Sequence, residues 1–166
     1  MLTEIKTNTL HYFVDEHNLK QGEYKHYYNN GQLSVHTSYL NGNYHGEYKD
    51  YYNDGQLCEH SFYQYGNRHG EYKEYHANCR LNVHTSLQNG KLHGEYKQYC
   101  RNGQLFVHTF YQNGKKHGEY KQYRRNGELS YTTFFYQGGD LHVDPNSLTE
   151  KDKVYIMMSG RLPPRD

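Results

Sequence analysis

The chain contains no tryptophan and few aliphatic side chains. Hydrophobic residues make up 34% of its 166 residues, and the chain contains 21 tyrosines. Such a sequence cannot bury a thick aliphatic core, so it must bury aromatic rings and the stems of long side chains. Disorder is the alternative for so polar a chain. The abundance and strict placement of the aromatic residues, together with a net charge of only +1, argue against it.

A strong charge of one sign and a long apolar run are missing too. Lys and Glu recur together, so the basic stripe typical of a nucleic-acid-binding protein is absent. No run approaches the ~20 apolar residues that a membrane-spanning helix requires. The N-terminal segment, MLTEIKTNTLHYF, lacks the apolar stretch of a signal peptide. We therefore expect a cytoplasmic protein that binds no nucleic acid and has no transmembrane segment.

Signatures of disulfides and of catalysis are missing as well. Cys58, Cys79 and Cys100 are odd in number and form no Cys-x-x-Cys pair, which favours free thiols. The sequence has no nucleophile elbow and no glycine-rich phosphate loop. We predict no catalytic residue and no cofactor.

What the sequence does contain is a strict internal repeat. The tetrapeptide Gly-Glu-Tyr-Lys occurs five times, always 24 residues apart, starting at Gly22, Gly46, Gly70, Gly94 and Gly118. A fixed period of this length indicates a repeat architecture, in which each unit contacts mainly its neighbours. The repeats are residues 21–44, 45–68, 69–92, 93–116 and 117–140.

Each repeat is predicted to be a β-hairpin. An aromatic-rich run, Glu23–Tyr28, is followed by Asn30-Gly31, by the β-branched and aromatic run 33–40, and by a second Asn-Gly pair. Such pairs predict two-residue type I′ turns, which need positive φ at both central residues. The third repeat has Cys79 in place of the first glycine, which should strain the turn or change its type. Hairpins joined in this way predict an all-β fold, an elongated single-layer antiparallel meander that advances ~9–10 Å per repeat.

Two-residue turns would give the sheet two different faces. Tyr24 would then face Thr37, and Tyr27 would face Ser34. One face would carry an apolar stripe of tyrosine and leucine, and the other would carry Glu, Lys and His. A bulge in each turn would shift this register by one residue. The stripe either serves packing or forms an aromatic groove for a peptide, helix or lipid head group. Our candidate interaction surface consists of Tyr24, Leu33, Tyr39, Tyr48, Leu57, Tyr63, Tyr72, Leu81, Tyr96, Leu105, Tyr111, Tyr120 and Leu129.

The chain has 13 histidines, which raises the question of a metal site. Four of them recur at one repeat position, so successive members lie ~9–10 Å apart. Ligands that share one zinc ion lie within ~4 Å of each other. We therefore predict no metal site and expect histidines that bond to neighbouring glutamates or backbone. Repeated Glu-Lys-His sets also argue against an enzyme, because catalysis needs one preorganised pocket. This histidine column is His36, His60, His84 and His108.

The two ends of the chain are predicted to cover the open edges of the sheet. Residues 1–20 form an N-terminal cap, in which residues 9–14 resemble an unpaired second strand of a partial repeat. Residues 141–166 form a C-terminal cap.

The C-terminal cap is predicted to contain a short helix. Ser147 and Glu150 fit a capping box, the helix covers residues 148–158, and Gly160 ends it. It either packs on the last repeat or docks into a partner. One side of the helix carries Leu148, Tyr155 and Met158.

The repeat unit HGEYKxYxxNGxLxxHxxYxNGxx resembles the MORN repeat in its longer variant form. The resemblance covers residues 21–140, and similar repeats are abundant in giant DNA viruses. The shorter MORN unit has His-Gly-x-Gly where this chain has His-Gly-Glu-Tyr. The resemblance implies a ladder of hairpins with an aromatic groove, in a scaffold or organiser protein that is often dimeric or oligomeric.

The function that this resemblance implies is that of a non-enzymatic scaffold. Its protein partner is unidentified, it self-associates, and, if viral, it acts in the host cytoplasm or the virion. Two alternatives stay open. Some family members have been proposed to touch phospholipid head groups, which implies a peripheral membrane module, although near-neutral charge disfavours this at neutral pH. Some bacterial members are labelled as antitoxin components, which implies an inhibitor of a partner protein.

Overall fold

The computed structural model describes residues 1–164 and contains one open antiparallel sheet of 13 strands in sequence order. The predicted all-β meander with a short C-terminal helix is confirmed. The last two positions of the predicted C-terminal cap, 165–166, lie outside the described residues. The elements are β1 (Thr3–Lys6), β2 (Leu10–Val14), β3 (Lys20–Tyr27), β4 (Leu33–Leu40), β5 (Asn43–Tyr51), β6 (Leu57–Gln64), β7 (Asn67–Tyr75), β8 (Leu81–Gln88), β9 (Lys91–Tyr99), β10 (Leu105–Gln112), β11 (Lys115–Tyr123), β12 (Leu129–Tyr136), β13 (Gly139–Asp140) and α1 (Glu150–Ser159).

The second turn of each repeat is the type I′ turn that the sequence predicts. Asn41 has a φ of 50° and Gly42 has a φ of 77°, and the flanking Leu40 and Asn43 pair directly. This turn is favoured because its twist matches the right-handed twist of the strands it joins. Tyr65 takes the place of the asparagine in the next repeat and keeps a φ of 48°.

The first turn differs from the prediction. Only Gly31 has a positive φ, 82°, and hydrogen bonds from Gly31 N to Tyr28 O and from Tyr28 N to Gln32 O enclose a loop of three residues. This is a type I turn followed by a left-handed glycine. The predicted type I′ turn at Asn30-Gly31 is therefore wrong. The Asn30 side chain instead accepts a hydrogen bond from Gln32 N at 3.0 Å.

The third repeat keeps this turn without a glycine. Cys79 adopts a φ of 62°, and its N–H still donates to His76 O at 2.9 Å. A non-glycine residue in the left-handed region costs roughly 1–2 kcal/mol. The sequence predicts either a strained turn or a different turn type at this position. The structure shows the first, because the turn type is kept and the backbone is strained. The thiol donates to Gln56 Oε1 in the preceding repeat at 2.8 Å.

The predicted register is correct in the middle of each hairpin, but the observed register shifts by one residue near the first turn. Tyr24 pairs with Thr37 as predicted, but Tyr27 pairs with Leu33 because Ser34 forms a bulge, so the predicted pairing of Tyr27 with Ser34 is wrong. Directly paired residues share a face. Leu33 therefore lies on the opposite face from Tyr24, and its predicted place in the tyrosine stripe is wrong. The same shift moves Leu57, Leu81, Leu105 and Leu129.

A second irregularity explains the glycine of Gly-Glu-Tyr-Lys. Between the pairs Thr37–Tyr48 and Tyr39–Tyr44, β4 has one intervening residue and β5 has three, which form a bulge. Gly46 is the middle residue of this bulge and has a φ of 86°. The Thr37 hydroxyl donates to the Glu47 carbonyl in the same bulge at 3.0 Å. All five motif glycines have φ values between 69° and 97°, so each repeat requires a residue without a side chain at this point.

The N-terminal edge of the sheet is a short hairpin. β1 pairs with β2, and β2 pairs in turn with β3. The strand predicted over residues 9–14 is therefore paired on both sides, and the expectation that it is unpaired is wrong.

The C-terminal helix begins later than predicted. The Thr149 hydroxyl accepts a hydrogen bond from Asp152 N at 3.1 Å, and the Asp152 carboxylate accepts one from Thr149 N at 2.7 Å. This capping box replaces the predicted one at Ser147 and Glu150, so the predicted start at residue 148 is wrong. Gly160 ends the helix as predicted, with a φ of 71°.

The helix packs on the last long strand. Ile156 is 0% exposed and forms a cluster with Phe134 and Leu148. Tyr155 and Met158 were predicted to share a side with Leu148, but both are exposed, so this part of the prediction is wrong. Within residues 1–164, no helix is long and apolar enough to cross a membrane.

Candidate functional site

The sheet has two faces of different chemistry. One face, which we call the tyrosine face, carries Tyr24 and Tyr39 with their counterparts in later repeats. The other, which we call the charged face, carries Glu23, Lys25 and His36 with theirs. All repeats have the same length, so each face keeps its identity from β3 to β12.

Aromatic rings on the tyrosine face form a row that crosses the strands. The ring centroids of Tyr24 and Tyr39 lie 5.4 Å apart, those of Tyr39 and Tyr44 lie 4.7 Å apart, and those of Tyr48 and Tyr63 lie 5.4 Å apart. Aromatic pairs at such separations contribute about 0.5–1.5 kcal/mol each beyond the area they bury. The row therefore supplies part of the hydrophobic core, which the chain cannot build from its few aliphatic residues.

A further column on this face was missed by the sequence reasoning. Lys20 Nζ lies 4.6 Å from the ring centroid of Tyr24, and Lys116 Nζ lies 4.4 Å from that of Tyr120. The residue type changes between repeats, so a search for identical positions overlooks the column. The available signal is its constant place, four residues before each motif tyrosine. The column consists of Lys20, Tyr44, Arg68, Leu92 and Lys116.

Acidic residues interrupt the tyrosine face in the second and third repeats. Asp50 pairs with Glu59, and Glu59 pairs with Glu74 on the next strand. Arg68 donates to both carboxylate oxygens of Glu59 at 2.8 Å. Burial, with a further contribution from Glu59, raises the pKa of Asp50. This part of the face therefore holds three carboxyl groups and one guanidinium.

On the charged face, each glutamate binds two side chains. Glu23 accepts hydrogen bonds from Lys25 Nζ at 2.8 Å and from His36 Nε2 at 3.0 Å, and these contacts recur in the next three repeats. The hydrogen bond from Lys25, and then that from His36, lowers the pKa of Glu23. The prediction that this histidine column bonds to neighbouring glutamates is confirmed for His36, His60, His84 and His108.

The last repeat ends this pattern, because Thr132 replaces the histidine. Lys153 of α1 approaches Glu119 at 3.4 Å and supplies the second cation there. The helix therefore lies over the charged face. Beside this contact, a groove of about 520 Å³ lies between the helix and β9 to β11, with Met157 on the helix side and Phe110 on the sheet side.

The predicted interaction residues divide between the two faces. The register places the five leucines on the charged face and keeps the tyrosines together, and whether either set binds a partner stays a prediction. The predicted residues that share the tyrosine face are Tyr24, Tyr39, Tyr48, Tyr63, Tyr72, Tyr96, Tyr111 and Tyr120.

Comparison with protein families identifies the hairpin unit. The family model of the MORN repeat variant matches residues 20–41, 44–65, 92–113 and 116–137, which is more than half of the chain. The chain belongs to the MORN repeat family. Each matched MORN segment is one hairpin, formed by the strand of the Gly-Glu-Tyr-Lys motif and the strand after it. No curated protein is similar enough to the chain to count as a match.

Membership in this family gives the function in outline. A chain of MORN repeats is a repeat-based module for interaction or for membrane binding. The matched MORN segments leave out residues 66–91, which hold most of the third repeat. This is also the repeat with Cys79 in its turn and with Leu87 on the tyrosine face.

Proposed function

We propose that this MORN protein is a non-enzymatic scaffold that binds a protein partner through its tyrosine face. The observation that carries the proposal is the partial exposure of the aromatic row: the eight tyrosines of the candidate interaction surface are all half-buried. The sheet is a single layer, so nothing in residues 1–164 covers that row from above. Aromatic side chains are enriched at the centres of protein interfaces, where they contribute much of the binding energy.

That the protein has no enzymatic activity is part of the same proposal. The same side chains recur in every repeat, whereas catalysis needs one preorganised pocket. A rigid sheet with a spacing of ~9–10 Å per repeat is better suited to presenting identical groups along an extended partner.

Self-association also belongs to the proposal. An uncovered aromatic row is a surface that a second copy of the chain can bury. Where the source is a giant virus, as the resemblance suggests, the partner would be a virion or host protein. The antitoxin-like alternative differs only in the partner, which would then be a toxin.

Site-specific cross-linking tests which face binds. A photo-reactive phenylalanine analogue replaces Tyr96 on the tyrosine face or its neighbour Glu95 on the charged face. After irradiation in an extract of the source, we expect one set of proteins, or the dimer, to be cross-linked from position 96 but not from position 95. The same set captured from both positions, or only from 95, would overturn the proposal.

A second candidate is a peripheral phospholipid-binding module that uses the charged face. At neutral pH each glutamate there is balanced by one lysine, as Glu47 is by Lys49 at 2.9 Å. The histidine column places one histidine on this face in each of the first four repeats. Histidine ordinarily titrates near pH 6.5, so acidification adds positive charge there. This favours anionic lipid only under acidic conditions.

Vesicle flotation tests the second candidate. We expect the protein to float with phosphatidylserine vesicles at pH 5.5 and not at pH 7.5, and His60→Gln to reduce the bound fraction at pH 5.5. Phosphatidylcholine vesicles serve as the control for charge. Failure to float with anionic vesicles at either pH removes the membrane candidate.

A further inference from the structure

The tyrosine face lacks one aromatic ring, in the third repeat. In each of the other repeats, the ring 15 residues after the motif tyrosine stacks against that tyrosine. The third repeat has Leu87 at this position, so the stacking partner of Tyr72 is replaced by a short aliphatic chain. The stacked pairs are Tyr24–Tyr39, Tyr48–Tyr63, Tyr96–Tyr111 and Tyr120–Phe135, with centroids 5.4 to 5.7 Å apart.

The residue opposite Leu87 is also reduced in size. Leu87 pairs directly with Leu92, which occupies the column that holds lysine, tyrosine or arginine in the other repeats. These two changes coincide with a cavity of about 230 Å³ that is lined by Tyr72 and Tyr96, with Val83 and Leu92 among its other walls. The cavity thus lies where the aromatic row is interrupted.

The width of the gap matches one aromatic ring. Tyr72 and Tyr96 both pair with Thr85, from its two sides, so their strands lie two strand spacings apart, ~9.6 Å. A ring midway would lie ~5 Å from each tyrosine, within the range of aromatic pairs. For scale, a closed apolar cavity of ~150 Å³ binds benzene.

The charged residues around the gap determine which charge is favoured on a ligand group next to such a ring. Glu74 and Arg68 both line the cavity. Arg68 is held by Glu59, while Glu74 accepts hydrogen bonds from Asn82 Nδ2 at 2.6 Å and from the Tyr72 hydroxyl at 3.2 Å. Outside the cavity, Glu59 lies one strand and Asp50 two strands from Glu74, so this part of the face has three carboxyl groups and one guanidinium. A positive group next to the ring is therefore favoured, and an anionic one is disfavoured.

We propose that the gap at Leu87 and Leu92 is a pocket for an aromatic side chain of a protein partner that carries a basic residue beside it. The ring takes the place that Tyr63 and Tyr111 hold in their own repeats, and the cation faces Glu74. This inference rests on the proposed function, because it names the group by which a partner is anchored on the tyrosine face.

Phenethylamine is the probe for this pocket, since it joins an aromatic ring to an ammonium group. In a titration of the full chain followed by aromatic NMR, we expect saturable shifts at Tyr72 and Tyr96 with a Kd of about 1 mM, the range for a ligand of this size. Uncharged 2-phenylethanol should bind at least about threefold more weakly. Butylamine, which has no ring, and phenylacetate, which is anionic, should give no saturable shift.

Two matched variants separate the pocket from the rest of the protein. Leu87→Tyr restores the ring present in other repeats and is expected to weaken phenethylamine binding at least tenfold. Leu81→Tyr makes the same change on the same strand but on the opposite face, and it is expected to leave binding unchanged. No saturable shift in the unmodified chain, or equal binding by both variants, would overturn the proposal.

The pocket and the proposed function fail in different ways. If a partner is cross-linked from position 96 and its affinity is unchanged by Leu87→Tyr, the tyrosine face binds the partner without this pocket, and the inference is wrong. If phenethylamine binding depends on Leu87 while position 96 captures no protein, the pocket exists as a site for this chemistry, and the scaffold function is wrong.

Discussion

Alanine in place of Ile156 is expected to release the C-terminal helix from the sheet. Ile156 is 0% exposed and packs with Phe134 and Leu148. Truncating a buried isoleucine costs about 2–5 kcal/mol. Stability in a repeat protein is shared mainly between neighbours, so the loss is expected to affect α1 and the last repeat. Hydrogen exchange of the α1 amides should accelerate by about 30-fold or more, because 1.4 kcal/mol corresponds to a factor of ten.

Met158→Ala is the matched control, because this side chain lies two residues further along the same helix and is 82% exposed. It should leave the exchange of α1 nearly unchanged, and both variants should leave β5 to β9 unchanged. Equal acceleration in the two variants would mean that burial of Ile156 does not hold the helix in place. Faster exchange across β5 to β9 would mean that the repeats unfold together.

The sequence was sufficient to predict the strands and most of their register, partly because two errors cancel. The three-residue loop at Gly31 shifts the register by one residue, and the bulge at Ser34 shifts it back. Gln32 and Leu33 lie between the two irregularities, and of the candidate interaction residues only Leu33 and its counterparts are assigned to the wrong face. Asn-Gly cannot distinguish the two turns, because both a type I′ turn and a type I turn with a left-handed end place glycine at positive φ.

The tyrosine face was predictable where the repeats agree and was missed where they differ. Comparison of copies identifies positions such as Tyr24 and Tyr48, which recur without change. It overlooks the column of Lys20 and Arg68, whose members differ in type but make the same contact with the rings. Positions that differ between repeats therefore reveal features of the face that invariant positions cannot reveal. The gap at Leu87 is the clearest case.

The helix start was mispredicted for a different reason. Ser147 and Thr149 are both followed three residues later by an acidic residue. Sequence spacing cannot decide between two such capping boxes. The choice is made by Pro145, which is buried and begins a short 3₁₀ turn that already includes Ser147. The α-helix consequently begins after the second box.

Valine in place of Gly94 is expected to destabilise the sheet, although valine is among the residues most favoured in strands. Gly94 lies within β9 at a φ of 90°, and a Cβ built there meets no atom within 4 Å. The cost therefore comes from the backbone alone, since a β-branched residue at positive φ is strongly strained. We expect the free energy of unfolding in urea to fall by about 1–3 kcal/mol.

The control for this prediction is Gly139→Val, because Gly139 lies in a strand without a left-handed φ. A change near zero at Gly139 and a loss at Gly94 would attribute the effect to the bulge and not to the larger side chain. Strand propensity alone predicts a gain at both positions, so the sign of the change at Gly94 separates the two explanations. A gain there would mean that the sheet absorbs the bulge, and that the recurrence of glycine in Gly-Glu-Tyr-Lys has another cause.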